Sequence, residues 1–251
     1  MADPLKPAAP PFSASGRTAI PPAAHAYDAG LRAYMLMVYN YMASGVLLTG
    51  LVAMLVAGSP VIRAAFFAAS GAPTPLGWIA VFAPLALVFT LSFGINRLSE
   101  GATKSLFWAY AALMGVSLST ILLAYTGVSV ARTFFVTAAA FGGLSLWGYT
   151  TKKDLSAFGT FLIMGVVGLL IAMIVNMFLR SSAMDLVVSA VGVLLFAGLT
   201  AFDTQKIKNV YFQVAGTEFH GKAVVMGALT LYLDFINLFL FLLRFMGDRR
   251  R

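Results

Sequence analysis

Cysteine is absent from this 251-residue chain, which excludes disulfides, thiolate nucleophiles and cysteine-zinc sites. Histidine is nearly absent: His25 and His220 stand far apart, one in the N-terminal tail and one in a connection, so no soluble-type metal centre or resident cofactor is expected. Only 10 % of the side chains are charged, while 60 % are hydrophobic. So little charge cannot clothe a water-facing surface, and the chain reads as an all-α membrane protein that crosses the bilayer several times. The net charge of +8 does not point to nucleic acid, because the basic residues fall singly or in pairs between apolar runs rather than together on one aromatic-rich face.

What is present is a series of hydrophobic runs at about 34–57, 76–95, 106–125, 133–150, 158–179, 184–204 and 223–245. Each is long enough to cross a hydrocarbon core of ~30 Å at ~1.5 Å per residue, which predicts seven transmembrane helices over a domain spanning 31–246. Residues 1–30 hold most of the ten prolines and read as a disordered arm, and 247–251 form a basic tail. No signal-peptide pattern precedes the first run. Connections after the second, fourth and sixth runs carry Arg97, Lys104, Lys152, Lys153, Lys206, Lys208 and Lys222, seven cations against Arg63, Arg132 and Arg180 in the others. That bias puts the N-terminal arm in the cytoplasm. An odd number of spans then sends the tail outside despite Arg244, Arg249, Arg250 and Arg251, and the unbroken last run favours a true crossing over a re-entrant one. Ala139 and Gly143, four apart, are expected to let helices approach closely, and Trp78, Trp108 and Trp147 sit near run ends as an aromatic belt requires.

Two acids interrupt the apolar runs. Asp234 lies near the middle of the last one, and Thr230, Asp234 and Asn237 at i, i+4 and i+7 form one polar line on a helix. A carboxylate facing lipid at that depth costs ~2.5 to 3.5 kcal/mol, so Asp234 must face protein or water. Asp203 ends the sixth run, three residues before Lys206. Two carboxylates in one low-dielectric bundle cannot both ionise cheaply, so the pair is expected to share a proton and to be the group that titrates inside the membrane. This requires the sixth helix to continue past residue 203, or the seventh to start late. Arg97, at the end of the second run, is a suitable fork-shaped partner for Asp203, and an Arg97–Asp203 bridge would act as a latch on the cytoplasmic mouth.

Three pieces in order, Lys152-Lys153-Asp154-Leu155-Ser156, Phe202-Asp203-Thr204-Gln205-Lys206-Ile207 and Leu231-Tyr232-Leu233-Asp234-Phe235-Ile236-Asn237-Leu238-Phe239, resemble the Bax inhibitor, or transmembrane Bax inhibitor motif, family. The resemblance covers about residues 30–246. It implies seven helices with the last central in the bundle, a bacterial inner-membrane setting, a pH-sensitive calcium leak, Asp203 and Asp234 as the proton-sensing pair, and Arg97 as the arginine that bridges the first acid. The connection 208–222 reads as longer than in compact members of the family.

Three functions compete. A cation leak needs oxygen ligands, and two Asp side chains supply fewer than the 6 to 8 oxygens that calcium prefers, so Asp203 and Asp234 would hold calcium weakly. An intramembrane aspartyl protease also needs two acids on adjacent helices. It is disfavoured because neither acid stands in a Gly-x-Gly-Asp context, and the chain is not expected to be an enzyme. The third is a regulator that transports nothing and binds another membrane protein.

Overall fold

The structure is a computed structural model that describes residues 22–68 and 70–250; the proline-rich arm up to residue 21 lies outside them. Among the described residues there are eight helices: α1 Pro22–Gly58, α2 Pro60–Phe66, α3 Pro75–Gly94, α4 Glu100–Ala124, α5 Gly127–Thr150, α6 Ser156–Leu179, α7 Ser182–Val214 and α8 His220–Met246. Seven are long and apolar enough to span a membrane, and α2 is a single extra piece inside the Gly58–Thr74 connection. Helix α1 begins at Pro22, inside the stretch assigned to the arm.

The helix starts follow from local chemistry. Ser59, Thr74, Ser99, Thr126 and Ser181 each cap a helix by accepting from the N–H three residues on, and Pro60 and Pro75 occupy first-turn positions where a missing N–H costs nothing.

Helix α8 lies at the centre. In its most apolar stretch 67 % of residues are buried, against at most 39 % in the other six spans, and it packs on α1, α4, α5 and α7. Helix α6 is the outermost, packed on α7 alone among its principal contacts, and turns Phe161, Met164, Ile171 and Phe178 outward as a lipid-facing wall. Phe141, Phe196, Phe235, Phe241, Tyr110 and Tyr232 fill the space around α8.

The basic C-terminus follows an unbroken last helix, α8, and the tail folds back onto the α4–α5 turn. Thr126 N donates to Asp248 O at 3.1 Å, Arg250 N to Ala124 O at 2.9 Å, and Asp248 N to Ser129 Oγ at 2.9 Å. The Arg249 guanidinium lies over the Tyr125 ring. Arg249 by its side chain and Arg250 by its backbone N–H are thus tied to the bundle.

Two sequence expectations are corrected. The 208–222 connection is short: α7 continues through Val214 and α8 starts at His220, leaving 215–219 as the turn. Lys206 and Lys208 lowered the hydropathy there, but Ile207, Tyr211 and Val214 keep a buried stripe at helical spacing. Ala139 and Gly143 face outward, and a side chain at Gly143 would meet nothing. The close approach on α5 is at Gly148, where a Cβ would run into the backbone of Ala201 on α7. Ala and Gly mark no face by hydropathy; the buried face of α5 is marked by Ser129, Thr133, Thr137 and Ser145.

Candidate functional site

The extension of α7 is what brings the two acids together. Asp203 lies 11 residues before the end of α7 and Asp234 lies 14 residues after the start of α8. At ~1.5 Å per residue these are ~17 and ~21 Å from the shared turn, so antiparallel helices bring the two to nearly the same depth. Their relative exposures are 8 % and 4 %, and the two carboxyl groups lie near enough for each to act on the other. A carboxylate has no proton to donate, so a hydrogen bond between the two forms only when one of them is protonated. Asp234 Oδ2 meets no hydroxyl, amide or cation among the described residues. The cation whose field reaches both carboxyls is Lys206, one turn beyond Asp203 at the exposed edge.

The other predicted site residues stand apart from the pair. Thr230 Oγ1 donates to Met226 O at 3.0 Å and Asn237 Nδ2 to Leu233 O at 2.8 Å, so both spend their donors on their own helix. Arg97 lies exposed in the turn after α3. Among the described residues the one ion pair is Lys104–Glu100, so the Arg97–Asp203 latch is not made in this structure. The reason is topological: α3 packs chiefly on α4 and α2, away from α7.

Two residues that sequence reasoning passed over tie the motifs together. Gln205 Oε1 accepts from Leu155 N at 2.9 Å and its Nε2 donates to Lys153 O at 2.8 Å, fastening the Lys152–Ser156 segment to α7 two residues from Asp203. Tyr232, two residues before Asp234, lies 2.7 Å from Thr49 Oγ1. The Thr49 hydroxyl proton goes to Ala111 O at 2.8 Å, so Tyr232 is the donor and the three groups join α8, α1 and α4. Neither partner could have been found from spacing, since Gln205 and Leu155 are 50 residues apart and Thr49 and Tyr232 are 183 apart. Beside the pair, Thr204 Oγ1 donates to Thr200 O at 2.7 Å and lies 3.2 Å from Ser145 Oγ on α5.

At the open end of α5, Lys208 Nζ donates to Tyr149 O at 2.8 Å, and Lys222 Nζ donates to Ile95 O at 3.3 Å just past the end of α3. Two of the lysines that bias the topology therefore also satisfy carbonyls at helix ends, where a positive charge is favoured.

Fold and site together define a helical integral membrane protein of seven spans with a buried carboxyl pair on its last two helices. The family described as "Inhibitor of apoptosis-promoting Bax1" matches residues 31–251. The Escherichia coli inner membrane protein YbhL is 49 % identical over 224 residues, 88 % of this chain and 94 % of that protein. Uncharacterized proteins of Rickettsia prowazekii and Caulobacter vibrioides are each 47 % identical, covering 89 % of this chain and 93 % and 91 % of their own lengths. The chain belongs to the Bax inhibitor family.

Proposed function

We propose that this protein is a pH-sensitive cation leak of the bacterial inner membrane, with calcium as cargo and with its N-terminal arm in the cytoplasm. The observation that carries the reading is the burial of Asp203 and Asp234 beside one another on α7 and α8, an arrangement in which one shared proton is cheaper than two charges. Loss of that proton leaves two like charges side by side in a low-dielectric interior, with Lys206 able to offset one of them. The ionised pair then repels α7 from α8 or draws in a cation, and either response couples proton occupancy to the state of the path.

Among the described residues no third His, Cys, Asp or Glu joins the pair. Two carboxyl groups are too few for tight calcium binding, which suits an ion in transit, since conduction needs a site weak enough to leave.

The test is calcium flux into dye-loaded liposomes containing the purified protein, at mildly acidic and neutral pH. The wild type should conduct above empty liposomes with a rate that differs between the two conditions, and Asp203→Asn and Asp234→Asn should each remove most of that difference. Both variants keeping the wild-type pH profile would place the sensor elsewhere. No flux at either pH would favour the regulator that acts by binding another membrane protein.

A further inference from the structure

The buried face of α5 carries a line of hydroxyls with no role in the carboxyl pair itself. Ser129, Thr133, Thr137, Phe141 and Ser145 follow one another every four residues, and all five are at most 5 % exposed where α5 packs on α7 and α8. From Ser129 to Ser145 the line rises ~24 Å, most of the ~30 Å hydrocarbon thickness. One end is at the tail, where Ser129 Oγ accepts from Asp248 N. The other end is at the acids, where Ser145 meets Thr204 beside Asp203.

Helical hydroxyls in an apolar bundle ordinarily donate to the carbonyl four residues back, as Thr137 does to Thr133 O at 2.8 Å. Thr133 does not. Its Oγ1 is buried, the residue is 1 % exposed, and it bonds to no other described residue. A buried polar group left so is unfavourable, a penalty that a water or a passing ion removes. Of the four unpaired buried side-chain polar atoms among the described residues, Thr133 Oγ1 and Asp234 Oδ2 belong to α5 and α8.

The line is broken once. Phe141 takes the fourth place, with its ring edge-on to Phe235 at 5.5 Å, and Phe235 is the neighbour of Asp234. A pair of aromatic rings set between hydroxyls is an apolar barrier, of the kind that gates a water path by dewetting.

We propose that this face of α5 is the wet wall of the conduction path. Ser129, Thr133 and Thr137 line a file of water and hydrated cations on the tail side, Ser145 continues it at the acids, and Phe141 against Phe235 is the gate between them. The cargo rests on the cation-leak reading; the water file does not.

The absence of cysteine makes the test direct, since every introduced thiol is the sole one. Thr133→Cys and Thr137→Cys, near-isosteric changes, are treated in liposomes with a charged, water-soluble thiol reagent on both sides, with Phe135→Cys as the outward-facing control, 71 % exposed. The expected result is labelling at 133 and 137 about tenfold faster than at 135. Labelling no faster than the control overturns the file, even if the protein conducts calcium; in that case the leak reading stands and the route is elsewhere. In the same liposomes Phe141→Ala should raise calcium flux several-fold and speed labelling of Ser145→Cys from the tail side, and no change in either overturns the gate. Fast labelling at 133 and 137 together with no calcium flux in wild type or Phe141→Ala supports the file and sinks the leak reading.

Discussion

Gln205→Leu is the most informative single change to the scaffold of the acid pair, because the structure fixes both what is lost and where. The substitution keeps the approximate volume of the side chain and removes both hydrogen bonds to the α5–α6 connection, at 2.9 Å from Leu155 N and 2.8 Å to Lys153 O. Leu155 is 6 % exposed, so its N–H is left without an acceptor in a dry place, at ~1–3 kcal/mol. Lys153 is exposed and its carbonyl returns to water, so the second bond contributes only its ordinary net worth of ~0.5–1.5 kcal/mol. The sum is about 1.5–4.5 kcal/mol of local stability, concentrated on residues 151–155. Gln205→Glu should fall between wild type and Leu, since it keeps the acceptor for Leu155 N and loses the donor to Lys153 O. Thermal unfolding in detergent should show a midpoint several degrees lower for Leu, and limited proteolysis should cut the connection after Lys152 or Lys153 faster in the same order. A Leu variant that melts and is cleaved like wild type would mean that Gln205 does not hold this connection.

Gly148→Ala should drive α5 from α7 at the Ala201 backbone and cost ~1–3 kcal/mol, read as a lower midpoint, whereas Gly143→Ala on the same helix should be neutral because nothing lies within reach. Asp154, outside the spans, is held below the usual carboxylate range by hydrogen bonds from the Ser156 hydroxyl and N–H. A depressed carboxyl stabilises above its ordinary value and loses that contribution only as pH falls through its own lower value, so Asp154 stays charged throughout a mildly acidic to neutral assay. Asp154→Asn should therefore leave the pH dependence of flux unchanged, and a shifted profile would implicate this acid as well. With no bridge between Arg97 and Asp203, Arg97→Gln should alter basal flux and pH response less than Lys206→Gln, whose charge reaches both carboxyls; the opposite order would revive the latch.

Much of this protein was legible in the chain because a bilayer asks a one-dimensional question. Length and apolarity decide whether a helix spans, and each of the seven runs corresponds to one long apolar helix without reference to any other, although α5 starts six residues before its run and α7 ends ten residues after its own. The depth of Asp234 in its run alone forces it away from lipid, and the order of three short motifs carried the family. What the linear pattern did not hold was phase and depth between helices. Lys206 and Lys208 made the end of the sixth run look like loop, yet the helix continues because Ile207, Tyr211 and Val214 find neighbours, and that extension sets Asp203 level with Asp234. Gln205 and Tyr232 are polar residues whose partners come from distant helices, so only packing reveals what they bind. Arg97 chemically suits Asp203, but α3 packs against α4 and α2, and a charge pair needs proximity before complementarity counts. On α5 the hydroxyls were in plain sequence at four-residue spacing, but only the packing of α7 and α8 against them gave that spacing a direction, toward the buried acids rather than toward lipid.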